Sequence, residues 1–187
     1  MLVRIEFILS NPRPWLPTVQ SYISALSEIL THQVPKLEKI QICGPCGFLD
    51  PSSEISRLLS RLVKTHGERL KRISVHRMDV DLEVIKDICV NCSALEELFI
   101  AVEPDKLVSS CLLYDPPQPI TLPQNILADY VHYARSLKTI HVDYSPRVQF
   151  TVFVLSPDKA LEFIKRCDNP GITQFGCESR VWFVSFS

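Results

Sequence analysis

The amino-acid sequence predicts an α/β fold in which parallel strands alternate with helices along a repeated unit. Two observations support this prediction. The first is the apolar spacing L-x-x-I-x-I, which is typical of a short strand. It starts six times, at Leu2, Leu37, Leu70, Leu95, Leu137 and Ile172. The second is an aliphatic residue eleven positions before each of the last five starts, where we expect a helix face that packs on the strands. These residues are Leu26, Leu59, Val84, Ile126 and Leu161.

The repeat indicates how the units are stacked. The intervals between successive starts are 35, 33, 25, 42 and 35 residues. One strand and one helix per unit, with the strands side by side, is the arrangement of a leucine-rich-repeat solenoid, or horseshoe, with its strands on the concave side and its helices outside. We therefore predict that residues 1–187 form a single leucine-rich-repeat-like domain of about six repeats. A doubly wound α/β sheet has the same element order, but the recurring spacing favours the solenoid.

The predicted elements follow this period along the chain. Strands are expected within 2–8, 37–43, 70–76, 92–100, 137–142 and 172–177, and a terminal strand within 178–187. Helices are expected at 18–31, 51–66, 81–90, 124–134 and 157–166. The second helix has Asp50 as its cap and Pro51 as its first residue, and Gly67 ends it. The segment 149–155 is compatible with a further strand.

A proline-rich segment interrupts the period between the fourth strand and the fourth helix. Residues 103–123 contain five prolines, Pro104, Pro116, Pro117, Pro119 and Pro123. Because proline removes a backbone donor and disfavours both helix and central strand, we predict an inserted surface loop here. Long loops of this kind are often functional, so we expect this one to contribute to binding.

Composition and charge exclude several classes of function. The formal net charge is -1, so no electrostatic footprint for nucleic acid or an anionic membrane is present. No apolar run approaches the roughly 20 residues that a membrane helix needs, and Arg4 and Glu6 interrupt the apolar N-terminus, which is therefore not a signal peptide. Seven cysteines, an odd number, predict reduced thiols in a cytoplasmic or nuclear protein.

The cysteines supply the one chemical alternative. Cys43-Gly44-Pro45-Cys46 has the C-x-x-C spacing of thiol-redox enzymes, and together with Cys89 and Cys92 it has the ligand types of a zinc site. The helix predicted after it starts too late to activate Cys43, and the gap between the two pairs exceeds zinc-ribbon spacing. We therefore expect no cofactor and no metal. Nucleophile-elbow and phosphate-binding motifs are also absent from the sequence, which predicts a non-enzymatic protein.

The predicted binding surface is the strand face that points away from the helices. Side chains alternate along a strand, so the residues between the apolar positions line the concave surface in adjacent columns. These residues are Arg4, Glu6, Lys39, Gln41, Arg72, Ser74, Glu97, Phe99, Thr139, His141 and Gln174. Mixed charge around one aromatic residue is typical of a protein-binding face, with Phe99 as its anchor.

The repeats resemble those of a known family. A helix that ends near a cysteine, followed by L-x-x-L-x-I at Leu95, resembles the repeats of F-box/leucine-rich-repeat proteins. The tail 172–182, after the helix that starts at Pro157, is similar to the C-terminal end of F-box-like proteins of mushroom-forming fungi. The resemblance implies a substrate receptor of a cullin-type ubiquitin ligase, in which an N-terminal F-box grips a Skp-type adaptor. Because this sequence starts within a repeat strand, we expect no F-box and no Skp-type partner.

Overall fold

The computed structural model describes residues 2–6, 16–43, 52–102, 124–144, 156–177 and 179–184. Strands and helices alternate along the described chain, with a short 3-10 turn at Gly67–Arg69 after the second helix. The strands are β1 Leu2–Glu6, β2 Lys39–Cys43, β3 Arg72–Asp79, β4 Glu97–Val102, β5 Thr139–Tyr144, β6 Gln174–Cys177 and β7 Arg180–Phe183. The helices are α1 Leu16–His32, α2 Ser52–His66, α3 Leu82–Asn91, α4 Gln124–Val131 and α5 Pro157–Cys167.

All seven strands form one sheet, and their order in the sheet is their order in the chain. The pairings from β1 to β6 are parallel, and β7 pairs with β6 in the antiparallel direction. Each helix contacts the next one along the chain, from α1 with α2 to α4 with α5. The predicted α/β class with side-by-side parallel strands is therefore confirmed.

The hydrophobic core lies between this sheet and the row of helices. Alternate strand residues are buried there, which identifies one covered face of the sheet. They include Ile40, Ile42, Ile73, Val75, Leu98, Ile100, Ile140, Val142, Phe175 and Cys177. The helices contribute Ile23, Leu30, Ile55, Leu59, Ile85, Ile88, Leu127, Val131, Ala160 and Ile164. Each such side chain removed from water contributes about 1.5–3 kcal/mol, so this layer supplies most of the stability.

Five strands begin later than the repeat predicts. The first apolar residue of each of the last five repeats is fully buried, but the strand begins two residues after it. These residues are Leu37, Leu70, Leu95, Leu137 and Ile172. The reason is a hydrogen-bond pattern at the unit boundaries, where one carbonyl accepts two N–H groups from the next unit. The Glu96 oxygen, for example, accepts from Lys138 N (2.9 Å) and Thr139 N (3.0 Å). The oxygens of Glu38, Lys71 and Lys138 repeat this arrangement.

Charged side chains run along the same boundary. Lys71 Nζ lies 3.2 Å from Glu38 Oε2, and Lys138 Nζ lies 3.4 Å from Glu96 Oε1. The second position of the repeat thus alternates in charge between neighbouring strands. Opposite charges on adjacent strands favour this register, although solvent screens exposed pairs such as these.

The helix alignment was wrong for two units. Leu59 and Val84 are buried and Leu26 is half-buried against the core, as predicted. Ile126 and Leu161, however, are 44% and 48% exposed. In α4 and α5 the buried stripe starts one residue away, at Leu127 and Ala160. The connection from helix to strand is longer in these two units, Val131 to Thr139 and Cys167 to Gln174, than in the second and third, His66 to Arg72 and Asn91 to Glu97. A fixed count back from the strand therefore does not locate their inner face.

The last unit has clear end signals. The Ser156 hydroxyl accepts a hydrogen bond from Lys159 N (3.3 Å) and Pro157 is the first residue of α5. Beyond β6, the Trp182 ring stacks on Phe175 with ring centroids 5.5 Å apart, so β7 extends the core on the helix side. Among the described residues, no helix combines the length and the apolar character needed to cross a membrane.

Candidate functional site

The other side of the sheet, here called the uncovered face, has no helix packed on it within the described residues. Its side chains fall into columns that follow the strand register. The first column is Lys39, Arg72, Glu97, Thr139, Gln174 and Phe183. The second is Gln41, Ser74, Phe99, His141, Gly176 and Val181. A third, shorter column contains Cys43 and His76, whereas Asp143 pairs with Ala101, which pairs with Asp79 beyond the register shift in β3.

Two predicted residues are described by their backbone alone. Arg4 pairs with Gln41 in the second column, and Glu6 pairs with Cys43 in the third. The register therefore places the remaining nine predicted face residues in two columns and Glu6 one column further along. The 103–123 loop, the segment 149–155 and the Asp50 cap with Pro51 lie outside the described residues.

Four side chains meet at the centre of the uncovered face and form the Phe99 cluster: Arg72, His76, Phe99 and His141. The Arg72 guanidinium carbon lies 5.1 Å from the centroid of the Phe99 ring. The His141 ring stacks on Phe99 at 5.9 Å with an interplanar angle of 16°, and the His76 ring lies 6.3 Å away at 42°. Cations and aromatic rings in this geometry attract one another by about 0.5–1.5 kcal/mol per contact.

Each charged member of the cluster has an acidic neighbour. Arg72 NH1 lies 3.2 Å from Glu97 Oε2, and both side chains are about one-third exposed. His141 Nε2 lies 2.9 Å from Asp143 Oδ1. These pairs hold the rings in place and leave their edges accessible from solvent, because the histidines and Phe99 are only half-buried.

Gly176 makes room for His141. A Cβ atom added at Gly176 would overlap the His141 ring, so the ring occupies the space that any other residue would fill. Gly176 and His141 are register partners on β6 and β5. The glycine therefore allows His141 to lie flat on the sheet and stack on Phe99 rather than project from it.

His76 contacts a buried hydroxyl. The Ser74 Oγ lies 2.6 Å from His76 Nε2, and Ser74 is fully buried although its position in the repeat predicted a surface residue. The half-buried position of His76 lowers its pKa below the ordinary value, since burial disfavours the imidazolium. The charges of His141 and Arg72 also lower this pKa, and Asp143 raises it. A serine and a histidine in contact resemble a nucleophile and its base, but a fully buried hydroxyl cannot meet a substrate.

A β-bulge lies beside the cluster. Ser74 pairs with Phe99 and Asp79 pairs with Ala101, so that residues 75–78 of β3 lie opposite the single residue Ile100. Arg77 in this bulge has φ 62°, a left-handed conformation that is uncommon for a residue other than glycine. Bulges and strained residues occur often near functional sites, where they redirect a side chain. Here the bulge contains His76.

The structure therefore brings together only part of the predicted face. Arg72, Ser74, Glu97, Phe99 and His141 are linked by the contacts above, whereas Lys39, Gln41, Thr139 and Gln174 share only the columns. Sequence reasoning missed His76, Asp143, Val181 and Phe183. Val181 and Phe183 extend the columns with side chains that are 45% and 84% exposed. The same alternation, continued by two residues along β3 and β5 and into β7, could have predicted these four residues.

The cysteines are divided between the two faces. Cys43 is half-buried on the uncovered face, and Cys46 lies outside the described residues. Cys89 and Cys92 belong to the hydrophobic core, where burial raises the pKa of each thiol to about 12. No group of three or more metal-ligating side chains suited to a metal ion is found in the described ranges. A redox or zinc role for Cys43 and Cys46 stays the untested alternative.

Comparison of the chain with protein-family models and with curated protein sequences finds no match in either.

Proposed function

We propose that this chain is a non-enzymatic protein–protein interaction module that binds its partner through the uncovered face. The observation that carries the proposal is the Phe99 cluster beside the β3 bulge. Aromatic residues and arginine are enriched in protein interfaces, and arginine is among the residues that most often dominate binding energy there. A ring that is half-buried already has a fixed position, so a partner orders few additional side chains when it binds.

The rest of the uncovered face supports the same proposal. Polar residues surround the cluster along the first column, and the exposed Val181 and Phe183 side chains lie at its β7 end. A polar surface with a few aromatic and aliphatic contacts fits a partner that presents apolar side chains within a polar rim. Phe183, at 84% exposed, has the most exposed large apolar side chain among the described residues.

The finer architecture is part of this proposal. We propose that the sheet and helices are the units of a leucine-rich-repeat-like solenoid, with the uncovered face on its concave side. The chain-order sheet and the carbonyl pattern repeated at the unit boundaries support it, because both arise when one unit stacks on the next. The resemblance to F-box/leucine-rich-repeat proteins then suggests a substrate-receptor role in a cullin-type ubiquitin ligase, where the partner is the protein to be modified.

A paired-variant capture experiment tests the binding face. Tagged wild-type protein is compared with the double variant Arg72→Glu, Phe99→Ala and with a control, Arg57→Glu, Ile29→Ala, which makes the same kinds of change on exposed helix positions. Thermal unfolding first confirms that all three chains are folded. We expect quantitative mass spectrometry to find a partner retained by the wild type and the control and depleted at least about tenfold by the Arg72 and Phe99 changes. Equal depletion in both variants, or in neither, would reject the uncovered face as the binding site.

A further inference from the structure

Both histidines of the Phe99 cluster lie beside the Phe99 ring and interact with one carboxylate, that of Asp143. His141 stacks on one part of Phe99 and holds Asp143 Oδ1 at 2.9 Å, while His76 approaches the same ring at 6.3 Å. The Asp143 carboxylate also acts on His76 through space. One carboxylate cannot neutralise two imidazolium groups, so a proton on either histidine disfavours a proton on the other.

Titratable or charged groups on four strands surround His76. On its own strand β3, Arg72 and Arg77 both oppose a positive charge on His76. From β5, His141 opposes that charge and Asp143 favours it. From β2, Cys43 is its register partner, and on β4 Glu97 is held by Arg72 at 3.2 Å. Three cationic or potentially cationic groups therefore act against the single acid that favours protonation.

We propose that the Phe99 cluster is a proton-responsive switch in the uncovered face: a proton gained by His76 drives it away from Arg72, Arg77 and His141 and disrupts the stacked arrangement. The movement is expected in the bulge at 75–78, which contains His76 and is not held in register with β4. In the neutral ring the tautomer decides whether Ser74 Oγ or His76 Nε2 is the donor of their hydrogen bond, whereas the protonated ring can only donate, so a proton on His76 fixes the direction of this contact.

This inference deepens the proposed function, on which its biological role rests, because the switch would weaken partner binding as the pH falls. The lowered pKa of His76 also makes the stability of the fold depend on pH. A histidine whose pKa is lowered by folding takes up its proton more readily in the unfolded chain. The free energy of unfolding is therefore expected to decrease as the pH falls from about 7 through the pKa of His76, and to change no further below it.

The test of the switch uses the free protein. Histidine and phenylalanine ring resonances are followed by NMR between about pH 8 and pH 4.5, with a histidine model peptide that titrates near 6.5 as the reference. We expect His76 to titrate below the peptide, and the Phe99 ring resonances to shift with the same midpoint. In His76→Gln, which keeps a partner for the Ser74 hydroxyl, the Phe99 shift at that midpoint should disappear.

Two charge variants supply a readout that a merely structural role would not give. Asp143→Asn removes the acid that favours the proton and should lower the His76 midpoint, while Arg72→Gln should raise it. The switch would be overturned by midpoint shifts in the reverse directions or by a His76 midpoint at or above the peptide value. It would also be overturned if the Phe99 ring resonances did not shift at the His76 midpoint.

The capture experiment, repeated at pH 7.5 and pH 5.5, separates the switch from the proposed function. Partner retention should fall at the lower pH for the wild type and stay constant for His76→Gln. Retention that falls equally in both chains would overturn the regulatory role. If no partner depends on Arg72 and Phe99 at either pH, the proposed function fails, while the NMR titration still decides whether the switch exists.

Discussion

The two faces of the sheet share the same strands and differ in almost every other respect. On the covered face, Ile40, Ile73, Leu98 and Ile140 follow one another across four strands, each with 0% exposure and each aliphatic. On the uncovered face, the residues next to them in the chain are charged, polar or aromatic, and all but the buried Ser74 are half-buried. Successive side chains of one strand thus serve two different purposes.

The difference shows which features the fold requires. Burial of aliphatic side chains between sheet and helices is sufficient to form the stack, and it depends on apolar volume at regular positions. Nothing in that stack requires a bulge in β3, a left-handed Arg77 or two histidines around one phenylalanine. Because such features cost free energy that the core must offset, their concentration on one face favours a functional explanation.

The largest contrast should appear when neighbouring residues on β5 are truncated. Ile140→Ala removes a fully buried side chain from the core and is expected to lower the free energy of unfolding by about 2–5 kcal/mol. Thr139→Ala, on the uncovered face, should lower it by less than about 1 kcal/mol. Urea unfolding measures both values. Similar losses for the two variants would mean that the two faces are not energetically different.

Thiol reactivity is expected to differ between the buried core and the uncovered face. Cys89, Cys92 and Cys167 have pKa values raised to about 12 by burial, so few thiolates form at pH 8. We expect iodoacetamide to modify them at least about 100-fold more slowly than Cys43 in the folded protein, and at similar rates in urea. Mass spectrometry of the modified peptides gives the rates. Rapid modification of Cys92 without urea would contradict the packing of the α3 end.

Substitution of two glycines is expected to have a smaller effect on stability, and it tests the position of the His141 ring. Gly176→Ala forces the His141 ring off the uncovered face and should cost about 1–2 kcal/mol in unfolding free energy. The cost should largely vanish when His141→Ala is added, since the obstacle is a side chain. Gly67→Ala instead meets the backbone oxygen of Asn91 at 2.8 Å, which no side-chain truncation relieves. A Gly176 cost that persists in the double variant would contradict the described position of His141.

The smallest effect is expected at the rim of the cluster. Arg72→Gln removes the ion pair with Glu97 and the contact with Phe99, both partly exposed, and should change the unfolding free energy by less than about 1 kcal/mol. Glu97→Gln is the matched control for loss of the pair alone. Chemical unfolding in low and high salt checks both, and a loss above about 2 kcal/mol would show that Arg72 is a structural residue rather than part of a binding surface.

Much of the fold was predictable because it depends on short-range periodicity. The spacing of Leu98 and Ile100 places them on one face of a strand, and the repeat places the corresponding residues of other strands beside them. The same reasoning found Phe99, Arg72 and His141, since residues between apolar positions must lie on the opposite face. The inner face of a helix was less predictable, as Ile126 and Leu161 show, because the connection between a helix and its strand differs in length from unit to unit.

The sequence by itself determined the order of the strands, the covered face and the columns of the uncovered face, because alternation along a strand follows from backbone geometry alone. The tertiary structure decided what happens within those columns. It buried Ser74, placed His76 beside Phe99 through the bulge, and laid His141 over Gly176. These outcomes depend on contacts between strands 25 to 42 residues apart in the repeat, and no local pattern encodes which neighbour a side chain will meet.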